Sequence, residues 1–546
     1  MKKIWYHDGV VYQIYPRSFA DSNNDGIGDL QGIIAKIPYL KSLGITIVWL
    51  SPIYVSPNDD NGYDIADYRN IQPEFGTLDD FKKLLEKLHD AGIKLIMDLV
   101  VNHTSDEHPW FVASVKGDPK YKDYYHWQKK KNNWTSFFGG EAWTFHPERG
   151  EYYLHLFSKK QPDLNWDNPH VREEVKNICR YWLDMGVDGF RCDVINIIAK
   201  ADSLPRAKPQ IILAGREHYL NNPKIHGYLQ ELRDEVFTKY DCFTVGETVL
   251  ITPKQALDYI DTNVRELDMV FQFEHMGADN YFVKWFMKKF RPINLKKPLA
   301  KWQNQIAERG WNTLYLENHD QPRSVSRFGS LDYYHESAKM LATMLYFQKG
   351  TPFIYQGQEI GMLNASFPNL DDYQDIETHN IYATGRKLGL THRRMMKKIM
   401  MMSRDNARTP MQWDASENAG FSKHVPWLKV NPNYQKINVS ANLTDPDSIL
   451  NYYRKLISLR KKHPVIVNGD YQDIAFKHRR LYAYKRTQGD ETLYVFCNFS
   501  PKNLRHRTVN QFSLYEPLLT NYPHQTGLDY LRPYEARVYL IKNKPS

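Results

Sequence analysis

Eight short apolar runs punctuate the chain, at Val10–Tyr15, Ile45–Pro52, Lys94–Val101, Asp188–Val194, Cys242–Glu247, Asp268–Phe273, Thr313–Asn318 and Pro352–Gln358. Each is β-rich, and a segment of helical period separates it from the next, which is the rhythm of a parallel (β/α)8 barrel. After the helix-like run Ile449–Lys461 the pattern changes to alternation, as in Arg480-Leu481-Tyr482-Ala483-Tyr484 and Thr492-Leu493-Tyr494-Val495-Phe496. That change predicts an antiparallel β domain at the C-terminal end. Between runs three and four lies a long aromatic-rich stretch, read as a lobe inserted above the barrel. The expected division is a barrel over 1–103 and 172–465, a lobe over 104–171 and a β domain over 466–546.

Active-site residues of such barrels sit at the C-terminal ends of the strands. Three of the runs end there in acidic signatures: Gly189-Phe190-Arg191-Cys192-Asp193, Thr244-Val245-Gly246-Glu247 and Glu317-Asn318-His319-Asp320. Arg191 and Asp193 are two residues apart and so share one strand face, where a cation holds a carboxylate ionised and oriented as a nucleophile. Taken singly, each acid reads as an ordinary strand-end or capping residue. Three in succession describe a site built from carboxylates.

The chain resembles glycoside hydrolase family thirteen, the α-amylase family, in its oligo-1,6-glucosidase and dextran glucosidase branch. The segments that carry the resemblance are VVYQIYPRSF at 10–19, DLVVNHTSDEH at 98–108, QPDLNW at 161–166, GFRCDVIN at 189–196, FTVGET at 243–248, ENHDQPRSVSRFG at 317–329, GTPFIYQGQEIGM at 350–362 and SRDNARTPMQWD at 403–414. The resemblance implies Asp193 as nucleophile, Glu247 as general acid/base and Asp320 as transition-state stabiliser. Glycoside cleavage passes through an oxocarbenium-like transition state, so one carboxyl must be neutral while another is ionised. Arg191 is expected to keep Asp193 charged, and burial near other acids to raise Glu247. Retention of configuration, with the two carboxyls about 5–5.5 Å apart, is likewise implied by the family.

Further pocket residues follow from the same resemblance. Asp64 and Arg323 are expected to hold the hydroxyls of the non-reducing terminal glucose, an ion pair between them closing the pocket floor and enforcing exo action. Tyr63 offers a ring face, His103 and His319 offer donors, and Phe138, Phe157 and Gln161 are carried over by spacing to QPDLNW. Arg408 is expected on the acceptor side, with bracing of its own loop the alternative. Val194, directly after the nucleophile, matches the branched residue of relatives that cleave α-1,6 links, where α-1,4-specific relatives carry alanine. The reading is a retaining exo-α-glucosidase acting on isomaltose, panose and short isomaltooligosaccharides.

A second motif, Asp21-Ser22-Asn23-Asn24-Asp25-Gly26-Ile27-Gly28-Asp29, sets oxygen ligands at alternate positions with a glycine for the turn, as a hard cation such as Ca²⁺ requires. It is not an EF-hand, because Gly32 stands where a bidentate glutamate belongs. The resemblance implies one structural Ca²⁺ held by the side chains of Asp21, Asn23, Asp25 and Asp29 and the carbonyl of Ile27; the alternative is a metal-free Asx turn.

The net charge of +9, from 72 basic and 63 acidic residues, comes from scattered positions, and no nucleic-acid motif accompanies the short basic runs Lys129–Lys131 and Arg393–Lys398. Four cysteines, Cys179, Cys192, Cys242 and Cys497, are too few and too far apart for a disulfide framework. Met1-Lys2-Lys3 leads into Ile4-Trp5-Tyr6 without an apolar signal core, and no run reaches membrane-spanning length, so the expectation is a cytoplasmic enzyme, monomeric, with a small oligosaccharide as its partner. Three rivals stand beside it. Trehalose-6-phosphate hydrolases share the barrel and the valine. Sucrose isomerases carry an arginine-rich loop where this chain has Ser324-Val325-Ser326-Arg327-Phe328-Gly329. A non-catalytic amylase-like binding protein would carry a membrane anchor and eroded catalytic residues.

Overall fold

The computed structural model describes residues 4–542 except 211, 282, 307 and 524–528; the expectation drawn from Met1-Lys2-Lys3 lies outside the described residues. The eight apolar runs form the barrel strands β1 (Val11–Ile14), β2 (Ile47–Leu50), β3 (Lys94–Leu99), β4 (Gly189–Cys192), β5 (Phe243–Glu247), β6 (Met269–Phe271), β7 (Thr313–Leu314) and β8 (Thr351–Tyr355). Each pairs in parallel with its neighbours in chain order. A parallel bridge from Val270 to Asn312 joins β6 to β7 and closes the ring. Nearly every strand residue is buried, because helices cover the outer face and side chains fill the inner one.

Local chemistry sets the approach of β4 to β5. Gly189 opens β4 at φ 147°, and a Cβ there would lie 1.9 Å from the carbonyl oxygen of Phe243 at the start of β5. Only glycine lets the strands meet in that register. Beyond Gly189 the alternation of the strand sends Phe190 and Cys192 toward the helices, and Arg191 and Asp193 into the barrel mouth.

Between β3 and β4 the chain builds a small antiparallel sheet from Trp127–Gln128, Trp143–His146 and Glu151–Leu154. A fully buried ion pair ties this lobe down: Lys200 Nζ lies 2.7 Å from Asp163 and donates to Asn102 Oδ1 at 2.8 Å. After β8 the chain makes a helical hairpin, Ile376–Lys387 and His392–Met402, followed by the short helix Asp405–Arg408. The C-terminal strands Asp470–Ile474, Leu481–Gln488, Glu491–Asn498, Ala536–Lys542 and Leu519–Thr520 form one antiparallel sheet in that spatial order. Arg486, buried in this sheet, donates to the carbonyls of Phe347, Ile466, Val467 and Gly469 and so locks it to the barrel.

Candidate active site

At the C-terminal mouth of the barrel one guanidinium organises three carboxylates. Arg191 Nη1 donates to Asp193 Oδ1 at 2.6 Å and also to Asp98 of β3, while Nη2 donates to Glu247 Oε2. Asp98 is in turn held by Trp49 Nε1 at 2.9 Å and the Tyr63 hydroxyl at 3.3 Å. Asp193 and Glu247 are thus drawn together on the two Nη groups of one guanidinium. Burial is the largest influence on both, lifting Glu247 to about 7 and Asp193 to about 6, with Arg191 opposing it at each. The expected rise at Glu247 is present. The expectation for Asp193 is corrected, because loss of water outweighs the neighbouring cation and raises this carboxyl too.

Asp320 follows β7 and faces the pair with the opposite balance. Arg408 Nη2 approaches its Oδ1 at 2.7 Å and Arg404 Nη1 at 3.3 Å, and His319 Nε2 lies 3.1 Å from Oδ2. Despite burial, contact with His319 and the charges of Arg404 and Arg408 hold its carboxyl well below the ordinary range. His319 is itself oriented by Gln13, 2.8 Å from Nδ1, and stacked on Tyr63 with ring centroids 5.2 Å apart. The mouth therefore carries Glu247, which keeps its proton up to about 7, Asp193, which gives its proton up through about 6, and Asp320, which stays ionised.

These groups line a cleft of about 230 Å³. Its wall includes Tyr63, His103, Phe138, Phe157, Asp193, Val194, Glu247 and Asp320 from the sequence reading, together with Asp60, Phe137, Val249, Phe273, Lys284, Gln321, Glu377 and Arg404, which that reading missed. Gln161 stands just behind, its Nε2 3.3 Å from Asp60 Oδ2 and 3.2 Å from His103 Nε2. Val194 sits in the left-handed region at φ 34° and ψ 40°, an outlier for a β-branched residue. There its N–H reaches Glu247 Oε2 at 3.3 Å.

Two assignments are corrected. Asp64 and Arg323 form no ion pair. Asp64 accepts from Ser56 Oγ at 3.0 Å and from the backbone N–H groups of Asp59 and Asp60 at 2.8 and 3.1 Å, so it shapes the loop that presents Asp60. Arg323 is fully buried away from the cleft, paired with Glu317 at 3.1 Å and bonded to the carbonyls of Gln356 and Ala407. The pair at the pocket is Asp60 with Arg404, 3.0 Å apart, with the Phe138 ring 5.1 Å from the guanidinium carbon. Arg408 is likewise not on the acceptor side. Its Nε donates to the His319 carbonyl and its Nη2 to Asp320, so it grips the third carboxylate from beneath. Asp60 and Arg404 stand in segments already conspicuous in sequence, NDDNGYD and SRDNAR, but four residues from the residues chosen there.

In the loop from Asp21 to Asp29 the donors are all oxygen, which suits a hard cation. Asp21 accepts from the N–H groups of Asn23, Asn24 and Gly26, Asp25 from that of Ile27, and Asp29 caps the helix Leu30–Leu43 through the N–H of Gly32. This is the hydrogen bonding of linked Asx turns. Among the described residues no three His, Cys, Asp or Glu side chains converge as a ligand cluster.

A barrel of eight parallel strands, an inserted lobe and a carboxylate triad bound by arginines is the layout of α-glycoside hydrolases, and comparison with known proteins agrees. A family model described as the α-amylase catalytic domain matches residues 13–469. The chain belongs to the α-amylase family of glycoside hydrolases. Among its relatives is an oligo-1,6-glucosidase of Parageobacillus thermoglucosidasius, 54% identical over 99% of this chain and 100% of that protein. A crystal structure of Bacillus licheniformis trehalose-6-phosphate hydrolase superposes with a TM-score of 0.93 at 44% identity, covering 99% of this chain and 100% of the other. The isomaltulose synthase of Protaminobacter rubrum superposes with a TM-score of 0.95 at 39% identity, covering 99% and 100%.

Proposed function

We propose that this chain is a retaining, exo-acting α-glucosidase that hydrolyses α-1,6 links at the non-reducing end of isomaltose, panose and short isomaltooligosaccharides. The observation that carries the reading is the Asp60–Arg404 pair beside Asp320 in the wall of a small cleft, where a fixed ion pair can hold the hydroxyls of a terminal glucose. In the first step a carboxylate oxygen of Asp193 bonds to the anomeric carbon as that carbon's bond to the glycosidic oxygen breaks, and Glu247 gives its proton to the departing oxygen. A water then gives Glu247 a proton and its oxygen to the anomeric carbon, releasing Asp193. The grip of one guanidinium, Arg191, on both Asp193 and Glu247 supports the double displacement, since it holds the two carboxyls near each other while inversion needs room for a water between them. The names of the curated relatives support the α-1,6 preference.

Trehalose-6-phosphate is the weaker reading, because a phosphosugar needs an uncommitted cation at the mouth. Lys284 lies 2.6 Å from Glu377, and Arg404 is shared among Asp60, Asp320 and Asp375. A panel of isomaltose, panose, maltose, sucrose and trehalose-6-phosphate tests the choice. Highest kcat/KM on isomaltose or panose is expected, and turnover of the phosphosugar alone overturns the proposal.

We also place the protein in the cytoplasm as a monomer acting on imported sugars. Four free cysteines support a reducing compartment, and among the described residues no helix is long and apolar enough to cross a membrane. The loop from Asp21 to Asp29 is proposed to bind one structural Ca²⁺ through Asp21, Asn23, Asp25, Asp29 and the Ile27 carbonyl. It docks on the segment after the hairpin, the Gly26 carbonyl accepting from Trp427 N–H. A ligand held only by the folded state stabilises it, so chelation should lower the melting temperature while leaving turnover in the cold. An unchanged melting temperature after verified metal removal rules this out.

A further inference from the structure

Asp375 is fully buried, does not line the cleft, and has no part in the chemistry above. Its Oδ1 nonetheless receives Arg404 twice, from Nε at 3.0 Å and from Nη2 at 2.7 Å. The same oxygen accepts the N–H of Glu377 at 3.1 Å, and Oδ2 accepts the Thr378 hydroxyl at 2.9 Å, so this carboxylate caps the helix Ile376–Lys387. Asp375 thus holds two things at once. One is the guanidinium that reaches Asp60 and Asp320 in the cleft wall. The other is the first turn of the helix that sets Glu377 against Lys284, with Glu377 Oε2 also 3.6 Å from Arg404 Nε. Its backbone N–H is pinned in turn by Asp405 Oδ2 at 2.9 Å.

We propose that Asp375 is a positioning residue that fixes Arg404 for recognition of the terminal glucose and couples that clamp to the helix bearing Glu377. A guanidinium held on its Nε and Nη2 edge by a buried carboxylate loses its swing and presents the remaining edge to Asp320 in one geometry. Positioning of this kind acts on binding and rate together, since misplacement by about 1 Å costs about 10²-fold. The inference rests on the glucosidase reading for the identity of the sugar, and not for the existence of the clamp.

The test is a double-mutant cycle. Asp375→Asn keeps the size and a cap acceptor while removing the charge. It is measured alone and in an Arg404→Ala background, by kcat/KM on an aryl α-glucoside and by calorimetric affinity for a glucose-shaped iminosugar. We expect a fall of about 10–100-fold in both quantities for the single variant, less than threefold in the Arg404→Ala background, and recovery of most of the loss in Asp375→Glu. Thr378→Ala, which removes the hydroxyl bonded to Asp375 and to Ser403 but leaves the Asp375 charge on Arg404, should lower the melting temperature and leave kcat/KM within a few-fold. Equal losses in both backgrounds, or equal losses in the Asn and Glu variants, overturn the proposal in favour of a plain helix cap. Should the wild type ignore isomaltose yet show the expected iminosugar pattern, the substrate reading falls and the positioning role stands.

Discussion

Two arginines, Arg404 and Arg323, are both buried, both paired with carboxylates and both close in sequence to site residues, yet they do different work. Arg404 lines the cleft and divides its donors among Asp60, Asp320 and Asp375. Arg323 faces inward, where Glu317, two backbone carbonyls and the Tyr355 ring take up its charge. Lys200 with Asp163 belongs with Arg323, a charge pair that joins the lobe to the barrel and touches no substrate space. Chemistry does not separate functional from structural pairs here. What separates them is position: Arg404 and its partner Asp60 line the cleft, and Arg323 with Glu317 does not.

The sharpest way to break the comparison is at the reacting carboxyls. Asp193→Asn and Glu247→Gln should each lower kcat by about 10²–10⁴-fold or more with the fold intact, because shape is kept while the charge or proton is lost. Near-wild-type turnover in either variant would remove the site from this end of the barrel.

The same substitution at the two arginines then separates them directly. Arg404→Lys should cut kcat/KM by about 10²-fold, since an ammonium cannot span three carboxylates in the geometry of the fork. Arg323→Lys should leave kcat/KM within a few-fold and instead lower the melting temperature, because a buried pair is disturbed where no sugar binds. A reversal of the two outcomes would return Arg323 to the pocket.

Within the cleft, Val194→Ala should raise the ratio of kcat/KM for maltose over isomaltose by about 10–200-fold, the range for methyl-sized changes in an apolar contact. A wild-type enzyme that already prefers maltose refutes the argument before the variant is made.

The smallest expected effect is in the pH profile. Asp193 must be ionised, so kcat/KM should fall as pH drops through about 6, and Glu247 must hold its proton, so it should fall again as pH rises through about 7. Asp320, held well below the ordinary range, should contribute no limb in this window. A profile flat across both limbs would sever the two carboxyls from the rate.

Much of this architecture was legible beforehand. All eight strands appear where the apolar runs stand, and Asp193, Glu247 and Asp320 meet at one mouth because strand ends of a parallel barrel share a face. The misassignments fall in loops. In NDDNGYD every polar residue is a candidate, and only the fold uses Asp64 to brace the loop and turns Asp60 toward Arg404. In SRDNAR the two arginines are four residues apart, and their distribution between Asp60 and Asp320 depends on a helical hairpin absent from the barrel pattern.

Strand order, carboxylate placement and the shared face of Arg191 and Asp193 were determined by sequence alone, because a period of two and the alternation of strands and helices act over neighbouring residues. Which arginine lines the pocket was decided only in three dimensions. Arg404 and Asp60 lie 344 residues apart, and their meeting depends on loop paths set by contacts such as Asp64 with the Asp60 N–H and Asp375 with Arg404. The proton affinities were decided there as well, since burial, which no local pattern records, outweighs the charge of Arg191 at both Asp193 and Glu247.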